Sequence, residues 1–353
     1  MKKIFIKKKI LFKNKFPFNN IGKSFFFIID YKLINFFNNV FLRFLEINRR
    51  EFKIHILKKG ENEKSLSTFK KILKNMLVNN INRNSIIISI GGGVCGDISG
   101  FVSSVFLRGV ELIHIPSTLL SQIDSSIGGK NGINYLSKNI IGTFYKPRFI
   151  YISLYFIKRL SSFVYLCGFS EIIKISIICN LKFFNFLNEN YNFIKIRKYI
   201  FLKKIVKKSV ELKLKIIKKD LKEKLDERIK LNFGHTFAHA LEKYFNYKLS
   251  HGEAIWYGII FSIYYSLYLK YTKFSSVYPI LNIFYKYKCL NLKKISKIKF
   301  KKIKKYIFLD KKNINNEIKF IFFNKVGSVL VKKINYFIIK RIFFDFKKKM
   351  FII

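Results

Sequence analysis

An α/β N-terminal domain followed by a mainly α-helical C-terminal domain is predicted from three features of the 353-residue sequence. Between residues 85 and 152, short β-rich runs (Ser85–Ile90, Glu111–Ile115, Phe149–Ile152) alternate with glycine-containing turns, the pattern of strands feeding α/β units. Beyond about Arg159 glycine becomes sparse and the apolar spacing turns helical, as in Phe201–Ile217. The apolar run Trp256–Leu269 is shorter than the ~20 residues that span a bilayer, so it predicts a buried helix rather than a membrane segment. The division is placed at 1–155 and 156–353.

Composition sets limits on function. Lys+Arg number 69 against 20 Asp+Glu, a formal net charge of +49. Such an excess ordinarily points to nucleic acid or an anionic membrane, because clustered basic residues neutralise phosphates. Here Lys, Ile, Phe, Asn and Tyr, all with A/T-rich codons, are over-used together along the chain, so most of the charge reads as compositional background. Neither a nucleic-acid nor a membrane partner is expected. With 50% hydrophobic and 18% aromatic residues the chain can bury a core, which excludes general disorder. Cys95, Cys167, Cys179 and Cys289 lie far apart with no C-x-x-C pair, which argues against a disulfide scaffold and fits a reducing, cytoplasmic setting. The basic N-terminal segment breaks its apolar residues with lysine, so no secretory leader is expected.

The run Ser85–Ile90 leads directly into Gly91-Gly92-Gly93-Val94-Cys95-Gly96-Asp97, which contains G-x-G-x-x-G at Gly91, Gly93 and Gly96. Glycines at this spacing let the backbone turn tightly and approach a pyrophosphate, whose charge is favoured at the start of the next helix. With a helix expected over Ile98–Phe106, the context is that of a Rossmann-like dinucleotide loop. The same glycines would also serve a plain strand-to-helix turn. A second glycine-rich loop, Asp124–Asn134, sets Lys130 beside Gly128 and Gly129, a surrounding that suits a phosphate or carboxylate held by backbone N–H groups and one point charge.

Of five histidines, His235, His239 and His251 fall close together. His235 and His239 have i, i+4 spacing, so both imidazoles project from one face of a helix. His251 opens the apolar helix that follows. Imidazoles with a carboxylate and no neighbouring thiolate suit a borderline cation such as Zn²⁺, and a catalytic zinc takes three protein ligands and keeps an open position. Spacing leaves Glu171, Glu242 and Glu253 all open as the third ligand. Glu171 stands out because an acid on the otherwise apolar stretch Phe169–Ile177 is costly to bury without a partner.

The motifs GGGVCGD (Gly91–Asp97), FLRGVE (Phe106–Glu111), IPSTLLSQIDSSIGGKNGIN (Ile115–Asn134), SKNIIGTFYKP (Ser137–Pro147), SEIIK (Ser170–Lys174), LNFGHTFAHALE (Leu231–Glu242) and HGEA (His251–Ala254) resemble, in their order and approximate spacing, the 3-dehydroquinate synthase family. They cover roughly residues 58–270. Asp310–Lys312 with the β-like run after it resembles a basic element near that family's C-terminus.

The resemblance implies an α/β Rossmann-like NAD-binding domain and a mainly α-helical metal-binding domain. It implies one divalent metal, Zn²⁺ or Co²⁺, on Glu171, His235 and His251. NAD would be held by Glu61, Lys64, Gly93, Val94, Cys95, Gly96, Asp97, Ser117, Thr118, Lys130, Lys138, Phe156, Ile157, Lys158 and Arg159. A sugar-acid phosphate would meet Arg108, Asp124, Lys130, Asn139, Lys174, Lys213, Arg228, Asn232, His239 and Lys311. Catalytic roles would fall to His239, Lys130, Glu223 and Lys174. Arg108 resembles a residue that reaches the neighbouring subunit's site, which implies a homodimer.

The implied reaction converts 3-deoxy-D-arabino-heptulosonate 7-phosphate to 3-dehydroquinate and phosphate, in the shikimate pathway to aromatic amino acids. It proceeds by transient NAD-dependent oxidation at C5, phosphate elimination, re-reduction, ring opening and intramolecular aldol closure, and it belongs to the carbon–oxygen lyases. Related sugar phosphate cyclases share the loop and triad while acting on substrates that lack the carboxylate; Lys213, Arg228 and Asn232 favour the carboxylate-bearing one.

Overall fold

A computed structural model describes residues 4–8, 24–42, 45, 51–58, 60–220, 225–287, 294, 296, 298–308, 313–314 and 317–349. The chain divides into two compact units, Met1–Tyr165 with Leu202–Lys207, and Leu166–Phe201 with Lys208–Ile353.

The first unit contains strands β1 (Ile4–Lys7), β2 (Phe25–Asp30), β3 (Phe52–Leu57), β4 (Ile86–Gly91), β5 (Glu111–Pro116), β6 (Lys130–Tyr135), β7 (Ser137–Phe144) and β8 (Phe149–Ser153). Its helices are α1 (Ile34–Phe37), α2 (Leu66–Val78), α3 (Gly93–Val105) and α4 (Leu154–Arg159). Six strands pair in parallel in the order β1-β8-β5-β4-β2-β3, while β6 and β7 form a separate antiparallel hairpin.

The strands that read as unbroken apolar runs are those covered on both faces. Phe25, Phe27 and Ile29 of β2 join Ile86, Ile88 and Ile90 of β4 against Phe37 and Phe41. On the opposite face Phe26, Ile28 and Ile87 meet Ile72 and Met76 of α2 and Ile98, Phe101 and Val102 of α3. Because β3 and β4 flank β2 on opposite sides, the strand order reverses between β2 and β4. Open α/β sheets take their ligands at the carboxyl ends of the strands beside such a reversal. Asp30 and Gly91 end those two strands here.

The expected strands over 85–90, 111–115 and 149–152 are present as β4, β5 and β8. Two local readings change. Helix α3 begins at Gly93 rather than near Ile98, so Gly96 and Asp97 belong to its first turns instead of a preceding loop. Lys130–Asn134, read as loop, is most of strand β6. The pairing of β1 with β8 joins segments far apart in sequence, which local periodicity does not disclose.

The second unit takes in α5 (Ser162–Cys179) from Leu166 onward, α6 (Leu181–Glu189), α7 (Tyr191–Lys195), α8 (Tyr199–Lys219) apart from Leu202–Lys207, α9 (His235–Tyr244), α10 (His251–Tyr268), α11 (Phe274–Tyr287), α12 (Phe300–Phe308) and α13 (Tyr336–Lys349). A three-stranded antiparallel sheet accompanies them: β9 (Asn313–Ile314), β10 (Glu317–Lys325) and β11 (Ser328–Asn335). Helix α10 is buried almost all round, which is why its sequence shows no polar stripe. Among the described residues α5 alone is long and apolar enough to cross a membrane by length and composition, and most of it is buried within the protein.

One buried polar pair in the first unit has a consequence for stability. His114 of β5 is enclosed, with Nδ1 2.7 Å from the Ser89 hydroxyl of β4, and burial lowers its pKa from 6.5 to about 4. Between these values the unfolded chain binds a proton that the folded protein refuses. Stability is therefore fully present above pH 6.5 and declines as pH falls from 6.5 to 4, by about 3 kcal/mol for this group. Urea unfolding at pH 7 and pH 4 should show His114→Gln losing about 3 kcal/mol less than the parent chain on acidification. An equal loss in both proteins would refute this assignment.

Candidate functional site

The carboxyl end of β4 passes into α3 through Gly92, which caps the helix without a side chain, so the first-turn amides face outward from the turn. Ser117 N–H donates to the Gly91 carbonyl (2.9 Å), fixing the end of β5 beside the glycine turn. Thr118 and Ser121 hold each other through their hydroxyls at 2.9 Å. Cys95 faces the sheet, its thiol reaching the Ile28 carbonyl at 3.3 Å, and burial pushes its pKa up to about 12, so it behaves as a small apolar residue.

A charged cluster lies near this turn. Lys64 is buried, and its ammonium bonds the carboxylate of Asp97 and the side-chain oxygen of Asn139. Burial raises the Asp97 pKa against the opposing pull of Lys64, while Lys138 also favours the charged form. Asn134 donates its backbone N–H to the Lys64 carbonyl (2.7 Å) and its side-chain N–H to Glu61 (3.1 Å). Its Oδ1 accepts the Asn139 N–H at 3.0 Å. The structure thus gathers Glu61, Lys64, Asp97, Lys138 and Asn139. Asn139, expected beside the substrate, stands in this cluster on Lys64.

Other expected residues of this unit have different surroundings. Phe156 and Ile157 bury their side chains in the core. Lys158 and Arg159 are exposed at the end of α4, with Arg159 stacked over Tyr155 at 4.0 Å. Arg108 is exposed with a positive φ of 65°, Lys130 is exposed at the start of β6, and Asp124 lies in the turn before it. Ser125 is an addition: a Cβ on Gly93 would lie 3.3 Å from its hydroxyl, so it borders the glycine turn. A lone serine among several in Ser121–Ser126 gives no sequence signal of that kind.

In the second unit, Glu171 sits on α5 with 3% exposure. Its Oε2 pairs with Lys174 one turn on, also buried. Its Oε1 has no hydrogen-bond partner among the described residues, and lies 3.8 Å from His235 Nε2 and 3.7 Å from His251 Nε2. One ligand atom from each of Glu171, His235 and His251 fits within 4.8 Å of the others. His239, Glu242 and His251 form a second group of the same kind. The rings of His235 and His239 are 5.2 Å apart, as the i, i+4 spacing requires.

His235 is set up as a neutral donor. Burial, reinforced by Lys174, His239 and His251, holds His235 well below its usual pKa. Its Nδ1 points to the Phe233 carbonyl (3.4 Å) and that of His251 to Glu242 (3.3 Å), leaving Nε2 of both rings toward Glu171. An orphaned buried carboxylate oxygen facing the Nε2 atoms of two imidazoles fits a divalent cation of the zinc type. The remaining expected residues of this unit are Lys213 and Arg228, both buried, and Asn232, half-buried. Asp220 anchors the approach to Arg228 by accepting its backbone N–H and that of Leu225, both at 3.2 Å. Glu223 and Lys311 lie outside the described residues.

Close helix crossings bring the three ligands together. A Cβ on Gly252 would stand 2.2 Å from the Cys167 carbonyl oxygen, so the start of α10 touches the backbone of α5 one turn before Glu171. A Cβ on Gly258 would meet the Gly234 carbonyl oxygen at 2.0 Å, which brings α10 equally close to the residue preceding His235.

Comparison with known proteins shows two matching family models, 3-dehydroquinate synthase N-terminal over residues 54–165 and 3-dehydroquinate synthase C-terminal over residues 168–313. A 3-dehydroquinate synthase of Francisella tularensis subsp. tularensis (strain WY96-3418) is 40% identical over 277 residues, 78% of this chain and 77% of the relative. Among solved structures, 2-epi-5-epi-valiolone synthase from Streptomyces hygroscopicus subsp. jinggangensis 5008, with NAD⁺ and Zn²⁺ bound, superposes with a TM-score of 0.89 at 19% identity, covering 99% of this chain and 97% of that one. A 2-deoxy-scyllo-inosose synthase complexed with carbaglucose-6-phosphate, NAD⁺ and Co²⁺ gives a TM-score of 0.81 at 22% identity, covering 91% and 90%. These structural likenesses bear out the α/β-plus-helical fold class.

The crossing at Gly252 is directly testable. Gly252→Ala drives a methyl group into the α5 backbone and should cost about 3 kcal/mol or more, read as a lowered thermal midpoint. An unchanged midpoint would contradict the close approach.

Proposed function

The chain belongs to the 3-dehydroquinate synthase family, and on that premise we propose that it converts 3-deoxy-D-arabino-heptulosonate 7-phosphate to 3-dehydroquinate and phosphate as a carbon–oxygen lyase, acting as a cytoplasmic homodimer. The observation that carries the reading is the Glu171–His235–His251 group, whose one buried oxygen without a hydrogen-bond partner among the described residues faces two imidazoles. These three residues would hold a divalent cation, Zn²⁺ or Co²⁺, and the glycine turn with Glu61, Lys64, Asp97, Ser117, Thr118 and Lys138 would hold NAD. When bound, the cation supplies Lewis acidity toward a carbinol oxygen and NAD supplies a reversible hydride acceptor.

The chain's own groups have separable tasks. Lys174 takes one oxygen of Glu171, which leaves the other directed at the imidazoles and offsets the buried negative charge. His239, on the same face of α9 as His235 and within the second histidine–carboxylate group, is placed to carry a proton to or from the substrate. Within the second unit Lys213, Arg228 and Asn232 would supply cations and a donor for an anionic substrate, and Asp220 steadies the backbone that presents Arg228. Arg108, exposed in a left-handed turn, is offered to a second copy of the chain.

The purified protein should release inorganic phosphate from the heptulosonate phosphate, stop on chelation, recover with Zn²⁺ or Co²⁺, and accumulate no net NADH. No phosphate release with metal and NAD⁺ present would overturn the assignment. His239→Ala should lower kcat by roughly 10²–10⁴ while metal stoichiometry stays at one per chain. His235→Ala should lose the metal, and an unaltered metal content in that variant would remove His235 from the ligand set.

A further inference from the structure

Glu242 is a carboxylate with 2% exposure in the apolar interior of the second unit, a position that is costly unless its charge is answered. It lies on α9 at i+7 from His235 and i+3 from His239, on the face that carries both rings. Its Oε1 is 3.3 Å from His251 Nδ1, while the other nitrogen of the same ring, Nε2, is 3.7 Å from Glu171 Oε1. A neutral imidazole has one N–H, and the acceptor that N–H finds decides which nitrogen remains a donor to a metal. His251 has a carboxylate on each side, so the ring alone does not decide.

We propose that Glu242 is a positioning residue for the metal site: by accepting the Nδ1–H of His251 it fixes the tautomer in which Nε2 is free toward Glu171 and His235. The proposal rests on the metal reading above. It gives the buried carboxylate a task that folding does not require, and it orients the ring as well, since a hydrogen bond at Nδ1 restricts rotation about the Cβ–Cγ bond. The corresponding acceptor for His235 is the Phe233 carbonyl, so one ligand is oriented by backbone and the other by a charged side chain. A carboxylate acceptor also strengthens the imidazole as a ligand, and loss of such partners typically weakens metal binding by roughly 10- to 100-fold.

The test uses Co²⁺ as the probe, with affinity measured by chelator competition on the full chain. Relative to wild type, Glu242→Ala should bind Co²⁺ roughly 10- to 100-fold more weakly, and Glu242→Gln, which keeps an acceptor oxygen without the charge, should recover part of the loss. Binding by both variants within about twofold of wild type would overturn the inference and leave the metal reading intact. Failure of wild type to bind one Co²⁺ per chain would overturn both. Independently of how Glu242→Ala folds, ¹⁵N NMR of the histidine-labelled, Zn²⁺-loaded wild type gives a second readout. The His251 signals should show a protonated Nδ1 and a metal-bound Nε2, and the reverse pattern would overturn the proposal.

Discussion

Glu171 imposes the strictest condition on the second unit. A carboxylate on an apolar helix, almost fully removed from water, must be answered by charge or hydrogen bonds, because an isolated buried ion is prohibitively costly. Lys174 answers one oxygen, and the other faces Nε2 of His235 and His251. Meeting that condition sets the helix packing: α10 must come close enough to α5, and the start of α9 close enough to α10, that two positions tolerate nothing larger than glycine. The same packing keeps His235 neutral, since burial first, and then Lys174, His239 and His251, disfavour its charged form. A pair of imidazole nitrogens facing one unsatisfied oxygen is what a proposed divalent cation would complete.

The first unit meets a different requirement by different means. Its sheet is covered on both faces, so its ligand-facing chemistry is confined to the carboxyl edge where the strand order reverses. There the main contribution is backbone, with Gly92 at the start of α3 offering no side-chain cap and Ser117 tying β5 to β4. Side-chain charge enters through Lys64, held between Asp97 and Asn139. A buried pair of this kind adds little net stability on its own, and losing one partner leaves an uncompensated charge.

Much of this was legible in the residues. Long β-branched runs marked β4, β5 and β8 because strands buried on both faces need no polar alternation. His235 and His239 declared a shared helix face by spacing, and Glu171 declared itself by being an acid in an apolar stretch. Other features depend on contacts that no local pattern records. The pairing of β1 with β8, the start of α3 inside the glycine motif, and the seating of Asn139 on Lys64 all arise from tertiary context. Glu242 was visible only as one of three possible ligands. Its contact with His251 shows a carboxylate beside the ligand cluster, on the far side of the ring from Glu171. The large positive charge carried least information, since nothing in the composition separates Lys64 and Lys174, which pair with Asp97 and Glu171, from the rest of the 69 basic residues.

The central claim is that one divalent cation completes Glu171, His235 and His251. Its most direct test is a crystal structure of the Zn²⁺-loaded protein with anomalous scattering recorded at the zinc edge. The account requires a single anomalous peak about 2.0–2.2 Å from Glu171 Oε1, His235 Nε2 and His251 Nε2. A peak on His239, Glu242 and His251 Nδ1 instead, or no peak within the second unit, would contradict it.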